Sequence, residues 1–268
     1  MSLLASELTV SLTKSDGEPK RNKYLRFLAS ALGGSIPWVG PFLSAAASLH
    51  SEERQGDQST LAEAVRQAQE AKLNQLLNDV ASIAKRLEAL EDSGTAARLE
   101  DDSYLSLASR AFRTWDRAES QEKRGLVVRV LTNAAATSLT SDDVLRLFVD
   151  WIDRYDEMHF AVIREVHKSR GTTRLSIWEA LRGDLPKENS ADADLYRLLI
   201  DELSQGRIIR QLRDTDFDGR FLKKPRGRKQ TSHYLQSSFD DEKGYELTAL
   251  GTQFIHYAMN DVVARVGA

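Results

Sequence analysis

The chain has 268 residues, 41% of them hydrophobic and 29% charged, with a formal net charge of −3. That length accommodates one large domain or two small ones, each with its own core, and the slight acidity gives no general attraction to nucleic acid. The sequence contains no cysteine, which excludes disulfides, thiolate zinc sites and a cysteine nucleophile and fits a reducing cytosol.

The opening residues lack a basic start followed by a long apolar core, so no secretory signal is expected, and SELTVSLT alternates as a short strand does. Between Arg26 and His50 lie 23 residues without an ionisable side chain, FLASALGGSIPWVGPFLSAAASL. A run of that length is enough to cross a hydrocarbon layer, but its interior opposes a single spanning helix. Gly33 and Gly34 weaken helix propagation, and Pro37 and Pro41 each remove an amide donor and push the preceding residue out of the α region. Two short helices are expected, Lys23 to Leu32 and Phe42 to Leu49, joined by the corner GGSIPWVGP. Each arm of about ten residues rises about 15 Å, half the thickness of a bilayer core. Leu25, Leu28, Ile36, Trp38, Val39, Phe42 and Leu43 then serve either as the core of a buried hairpin or as membrane or self-association contacts. The expected location is cytoplasmic, with membrane association confined to this segment.

After a polar loop, Thr60 and Glu63 stand at capping-box spacing and open a helix expected to run to about Glu91. Leu73, Leu76, Val80, Ile83, Leu87 and Leu90 repeat at alternating three and four, a seam that wants a partner helix, supplied within the chain or by a second copy. Tyr104, Ala108, Ala111, Phe112 and Trp115 mark the buried face of the next helix. Ser120 can cap another, with Leu126, Val127, Val130, Leu131 and Ala134 inward, and Thr140 with Asp143 repeats the capping spacing ahead of Val144, Phe148, Trp151 and Tyr155. Residues 58–155 therefore read as a helical bundle.

From Asp156 the pattern changes. Phe160, Ile163 and Val166 mark a helix ending near Ser169; an extended GTTR follows, then the helix LSIWEALRG, stopped by Gly183 and Pro186. Ser190 can cap DADLYRLLIDELSQG, with Leu195, Leu198, Leu199 and Leu203 expected inward and Gly206 as the C-terminal stop. IIRQLRD, the acidic turn DTDFDG, a basic loop, the strand YELT and the closing helix ALGTQFIHYAMNDVV complete the chain. The leucine-rich third helix running into LSQGRIIR, the charged hairpin and YELTALGTQF together resemble the MarR- and PadR-like winged helices, over residues 156–258. That resemblance implies a winged-helix fold, which by itself does not name a ligand.

In a DNA-binding winged helix the start of the third helix enters the major groove. Here that start carries Asp192 and Asp194, which suit the helix dipole but repel phosphates. The wing has the opposite character. Arg207 to Lys229 holds nine Lys or Arg against three Asp, a local +6 that leaves −9 for the rest of the chain. Arg220, Lys223, Lys224, Arg226, Arg228 and Lys229 are the candidate contacts to a nucleic-acid backbone, an acidic partner surface or anionic headgroups.

His50, His159, His167, His233 and His256 form no metal-ligand spacing, and neither a phosphate-binding glycine loop nor a GxSxG elbow occurs. Asp214, Asp216 and Asp218 alternate as in a calcium loop, but the glutamate that closes such a loop is missing, and a hairpin turn is expected instead. Asp240, Asp241 and Glu242 read as a solvated loop. No catalytic residue, metal or cofactor is expected.

The fold class expected is mainly α, divided as residues 1–57 (strand and apolar hairpin), 58–155 (helical bundle) and 156–268 (winged helix). Over the whole chain the arrangement resembles uncharacterised bacterial abortive-infection-type proteins, which implies a non-enzymatic defence effector that engages a membrane or assembles with itself through the apolar hairpin, the winged helix serving as its interaction module. The alternative is a winged-helix transcriptional regulator that dimerises through its bundle and binds nucleic acid. The partners expected are thus a second copy or another protein, a membrane surface, and a nucleic-acid backbone met through the wing.

Overall fold

The structure, a computed structural model, describes residues 19–33, 35–39, 60–89, 98, 101–137, 139–213, 216–218, 220, 222 and 237–260. It is mainly α with one small antiparallel sheet. The chain divides into two compact units, Met1–Arg154 with Tyr257–Ala268, and Tyr155–His256. The expected strand SELTVSLT, the second apolar arm from Phe42 and the basic residues 223–229 lie outside the described residues.

Among the described residues, five helices build the first unit: α1 Pro19–Gly33, α2 Thr60–Ala89, α3 Asp102–Arg117, α4 Gln121–Ala136 and α5 Asp142–Arg154. Helix α1 packs on α2 and α3, α3 on α4 and α5, and α4 on α2 and α5. The seam residues Leu73, Leu76, Val80, Ile83 and Leu87 are all buried within the chain, and Leu90 lies outside the described residues. Their partners are α1 and α4. The apolar stripes expected on α3 and α4 are likewise buried. On α5 the inward face is Leu145, Phe148, Val149, Trp151 and Ile152, with Val144 only half-buried. Its first-turn amides, Val144 and Leu145, bond to the carbonyl of Ser141, so the helix opens one residue later than the Thr140 spacing suggests.

Polar anchors fix these helices. Asp101 caps α3 by accepting the Ser103 amide at 3.0 Å, and Arg98 joins Asp101 to Asp142 at the start of α5. Burial would push the Asp142 carboxyl up, but hydrogen bonds from Ser103 and Arg98 outweigh it and hold the group below the usual carboxylate range. In the interior the Tyr104 hydroxyl donates to the Leu131 carbonyl at 2.9 Å, and the Trp115 indole N–H donates to Asp79 at 2.8 Å. Both aromatic rings are thereby buried without orphaning a donor.

The second unit runs α6 Glu157–Lys168, β1 Thr172–Thr173, α7 Arg174–Arg182, α8 Ala191–Gln205, β2 Ile209–Gln211, β3 Gly244–Leu247 and α9 Ala249–Phe254; a π-helical turn, Ile255–Met259, then carries the chain from this unit into residues of the first. Strand β3 is central, in the order β1-β3-β2, with Thr173 opposite Gly244 and Arg210 opposite Glu246. Thr173, Ser190 and Thr248 each cap the following helix by accepting the amide three residues on. His159 ties α6 to α8. Its Nδ1 accepts the Asp156 amide at 3.1 Å, so Nε2 carries the hydrogen that reaches Glu202 at 2.9 Å.

One expectation for α8 needs correction. Leu195 and Leu198 were expected inward, yet they are 51% and 53% exposed. The buried stripe is Ala193, Tyr196, Leu199, Ile200 and Leu203. Tyr196 sets that face, since its ring stacks on Phe239 and its hydroxyl donates to the Arg174 carbonyl at 2.7 Å. Gly206 is the C-cap of the helix, as expected, and the left-handed residue follows it at Arg207, φ 58°. The Ile208 amide reaches back to the Leu203 carbonyl at 3.0 Å, a Schellman closure. Gly206 is there for space, because a Cβ would stand 2.5 Å from the Tyr155 hydroxyl.

The glycine of the LTALG segment has a similar cause. A Cβ on Gly251 would lie 2.2 Å from the backbone carbonyl oxygen of Ile208, which is held in place by the Thr248 amide at 2.9 Å. Gly251→Ala therefore forces α9 away from the sheet. The expected cost is about 2–3 kcal/mol, as for overpacking a rigid site, measured by urea denaturation followed by circular dichroism.

Candidate functional site

Three surfaces carry the residues singled out in the sequence. The first is the apolar corner after α1. Leu25, Leu28, Ile36 and Val39 are at most 3% exposed. The Ser35 and Ile36 amides bond to the Leu32 carbonyl, and Ser35 also donates its hydroxyl to Ala31, so the chain turns tightly at the end of α1. Trp38 is half-buried, and its indole N–H donates to Asp116 of α3 at 2.7 Å. Lys72 of α2 joins the same carboxylate at 2.7 Å and lies 5.5 Å from the centre of the Trp38 ring. A tryptophan, an aspartate and a lysine from three separate segments thus pin the corner to its own bundle. Phe42 and Leu43 lie outside the described residues. Among the described residues no helix is long and apolar enough to cross a membrane.

The second surface is the outer face of α8. Asp192, Asp194, Leu195, Leu198 and Asp201 are all exposed there. The one basic residue of the helix, Arg197, is turned aside, donating to the Ser238 hydroxyl at 2.9 Å with Glu188 at 3.8 Å. What α8 offers to solvent is two leucines flanked by carboxylates. An apolar pair with an acidic rim suits a basic protein surface and repels a phosphate backbone.

The third surface is the segment between β2 and β3. Asp216 closes a tight turn: its amide donates to the Arg220 carbonyl at 2.9 Å, and its carboxylate accepts the amides of Asp218 and Arg220 at 3.1 and 2.7 Å. This carboxylate is engaged by backbone. Phe217 and Leu222 are exposed, as is Arg220, while Lys223, Lys224, Arg226, Arg228 and Lys229 lie outside the described residues. The returning chain is anchored at Glu188, which accepts the Ser237 hydroxyl and the Ser238 amide, the latter at 3.0 Å. The Ser237 hydrogen bond, ahead of a smaller opposing effect of burial, holds the Glu188 carboxyl below its ordinary range. Phe239 then packs against both Trp178 and Tyr196, with ring centroids at 5.2 and 5.6 Å.

The Asp240–Glu242 stretch is used locally. Asp240 accepts the Glu242 amide, and Asp241 accepts the Thr173 hydroxyl at 2.8 Å. Among the described residues no group of three or more His, Asp or Glu is placed to hold a metal ion.

Removing the indole donor at the corner isolates its contribution. Trp38→Phe keeps most of the apolar contact but leaves Asp116 with one partner fewer, and the expected loss is about 1–2 kcal/mol. Thermal unfolding of the variant beside Asp116→Asn checks this; the double variant should lose less than the sum of the two single ones.

No protein-family model matches the chain, and no curated protein or solved structure is significantly similar to it, so function is argued from these surfaces alone.

Proposed function

We propose that the protein is a non-enzymatic interaction protein whose second unit is a winged helix that docks a partner protein through α8. The fold part of this reading is supported by the order α6-β1-α7-α8-β2-β3-α9 and by the antiparallel order β1-β3-β2, the arrangement of the family that the sequence resembles. The observation that carries the functional part is the exposure of Leu195 and Leu198 between Asp194 and Asp201. In this reading α8 meets a basic, amphipathic partner surface in place of a DNA groove. Fully covering two leucines is worth roughly 1.5–3 kcal/mol each, and the carboxylates favour a cationic rim.

The second reading is a nucleic-acid-binding regulator. It is favoured by the exposed Arg220 at the head of a stretch containing five further basic residues to Lys229. Defence-effector activity, with the apolar segment meeting a membrane or a second copy, belongs to the first reading and carries a structural condition. Leu25, Leu28, Ile36 and Val39 are buried in their own unit, so the corner has to leave Asp116 before those side chains are available.

A synthetic amphipathic peptide with leucines on one face and lysines on the other is the probe. The wild type is expected to bind it, and Leu195→Lys with Leu198→Lys to weaken binding by at least about tenfold. Failure of the wild type to bind, with capture of duplex DNA that weakens steeply between about 50 and 200 mM salt, would replace this reading with the regulator.

A further inference from the structure

We infer that the partner docked on α8 is a second copy of this chain, whose turn between β2 and β3 covers Leu195 and Leu198. The inference rests on the docking role proposed for α8 and adds the identity of what docks there. Among the described residues of the second unit, the large apolar side chains that are at least half exposed fall into two places. Leu195 and Leu198 stand on α8, with Leu185 in the loop leading into it, and Phe217 and Leu222 stand in and just after the turn. Both places are exposed in the same chain, so the turn does not cover the α8 of its own chain. Covering them together takes a contact between chains.

The two places are opposite in charge. Beside its leucines α8 exposes Asp192 and Asp194, while its one arginine, Arg197, donates to Ser238. Asp201 is left out of this balance because it pairs with the buried Arg174. From Asp216 to Lys229 the sequence holds six Lys or Arg against two Asp, a local +4. One of those two, Asp216, already accepts the backbone amides of Asp218 and Arg220. Like charges brought face to face suppress a contact and unlike charges fix its register. Two α8 faces would set carboxylate against carboxylate, and two turns cation against cation. The pairing that joins apolar to apolar and acid to base is α8 of one copy with the turn of the other.

The turn is ordered in advance for this role. The Asp216 amide donates to the Arg220 carbonyl at 2.9 Å, and its carboxylate accepts the two amides at 3.1 and 2.7 Å. Phe217 lies within this closed turn and is fully exposed. A backbone already tied down loses less entropy on docking than a loose one, and Phe and Arg are among the residue types enriched at protein interfaces. Leu195 and Leu198, three positions apart, are neighbours on the helix surface and offer one apolar platform to the ring.

Sedimentation equilibrium of the full chain from about 1 to about 100 μM, where contacts of micromolar strength dissociate, tests the pairing. The wild type is expected to self-associate over this range, and less at about 500 mM than at about 50 mM salt, because the charges are screened. Leu195→Lys with Leu198→Lys, and separately Phe217→Asp with Leu222→Asp, should each associate at least about tenfold more weakly. Mixing the two double variants should restore association, since one keeps an intact turn and the other an intact α8. A wild type that stays monomeric throughout would overturn the inference, as would association that neither variant weakens or that mixing does not restore. The leucine and lysine peptide separates this failure from failure of the α8 reading. A monomeric wild type that binds the peptide refutes the second copy and keeps α8 as a docking face, whereas one that does not bind it refutes both.

Discussion

Burial of the apolar side chains between Leu25 and Val39 is the constraint on which the first unit depends. Leu25, Leu28, Leu32, Ile36 and Val39 lie at 3% exposure or less, each worth roughly 1.5–3 kcal/mol of burial. The Ser35 and Ile36 amides turn back onto the Leu32 carbonyl, so the backbone of residues 35–39 folds against the bundle. Asp116 is the polar counterpart of this packing. It accepts the Trp38 indole and the Lys72 ammonium at 2.7 Å each, which gives the indole nitrogen of a largely apolar corner a partner. The chain thus meets the requirement that a buried donor be satisfied with a residue from α3, and the corner becomes part of the bundle.

The second unit solves a different problem with similar means. Its sheet is only three short strands, too small to be stable without helices against it. Strand β3 therefore carries most of the cross-links. Tyr245 on one face accepts from the buried Arg174 at 2.9 Å, while Glu246 on the other gathers Arg170 and Arg210. Gly244 and Gly251 let neighbouring backbone approach where any side chain would collide. On the outer face of α8, Asp201 pairs with the buried Arg174 at 3.3 Å, whereas Leu195 and Leu198 stay exposed outside the core, which is why they bear on binding.

Much of this organisation is legible in periodicity. The seam from Leu73 to Leu87, the stripe from Tyr104 to Trp115 and the caps at Ser120 and Ser190 follow from spacing and hydrogen-bonding capacity, and the structure has them where the spacing puts them. The face of α8 was not legible in the same way. Leu195, Leu198, Leu199 and Leu203 make an equally good apolar stripe, and the competition is decided by Tyr196, whose ring and hydroxyl both find partners inside. The Glu246 cluster was also hidden. A glutamate in YELT reads as the solvent face of an alternating strand, and its burial depends on arginines 36 and 76 positions away in the chain. The role of Asp116 is non-local for the same reason, 78 positions from Trp38.

In the resting protein the corner after α1 is held against its own bundle. Amide hydrogen exchange of residues 24–39, read by mass spectrometry beside α3 and α4, reports it. Protection as strong as that of the two bundle helices is the result expected of a segment that opens only with the core. Complete exchange within seconds, with α3 and α4 still protected, would contradict the burial of Ile36, Trp38 and Val39 on which the resting structure depends.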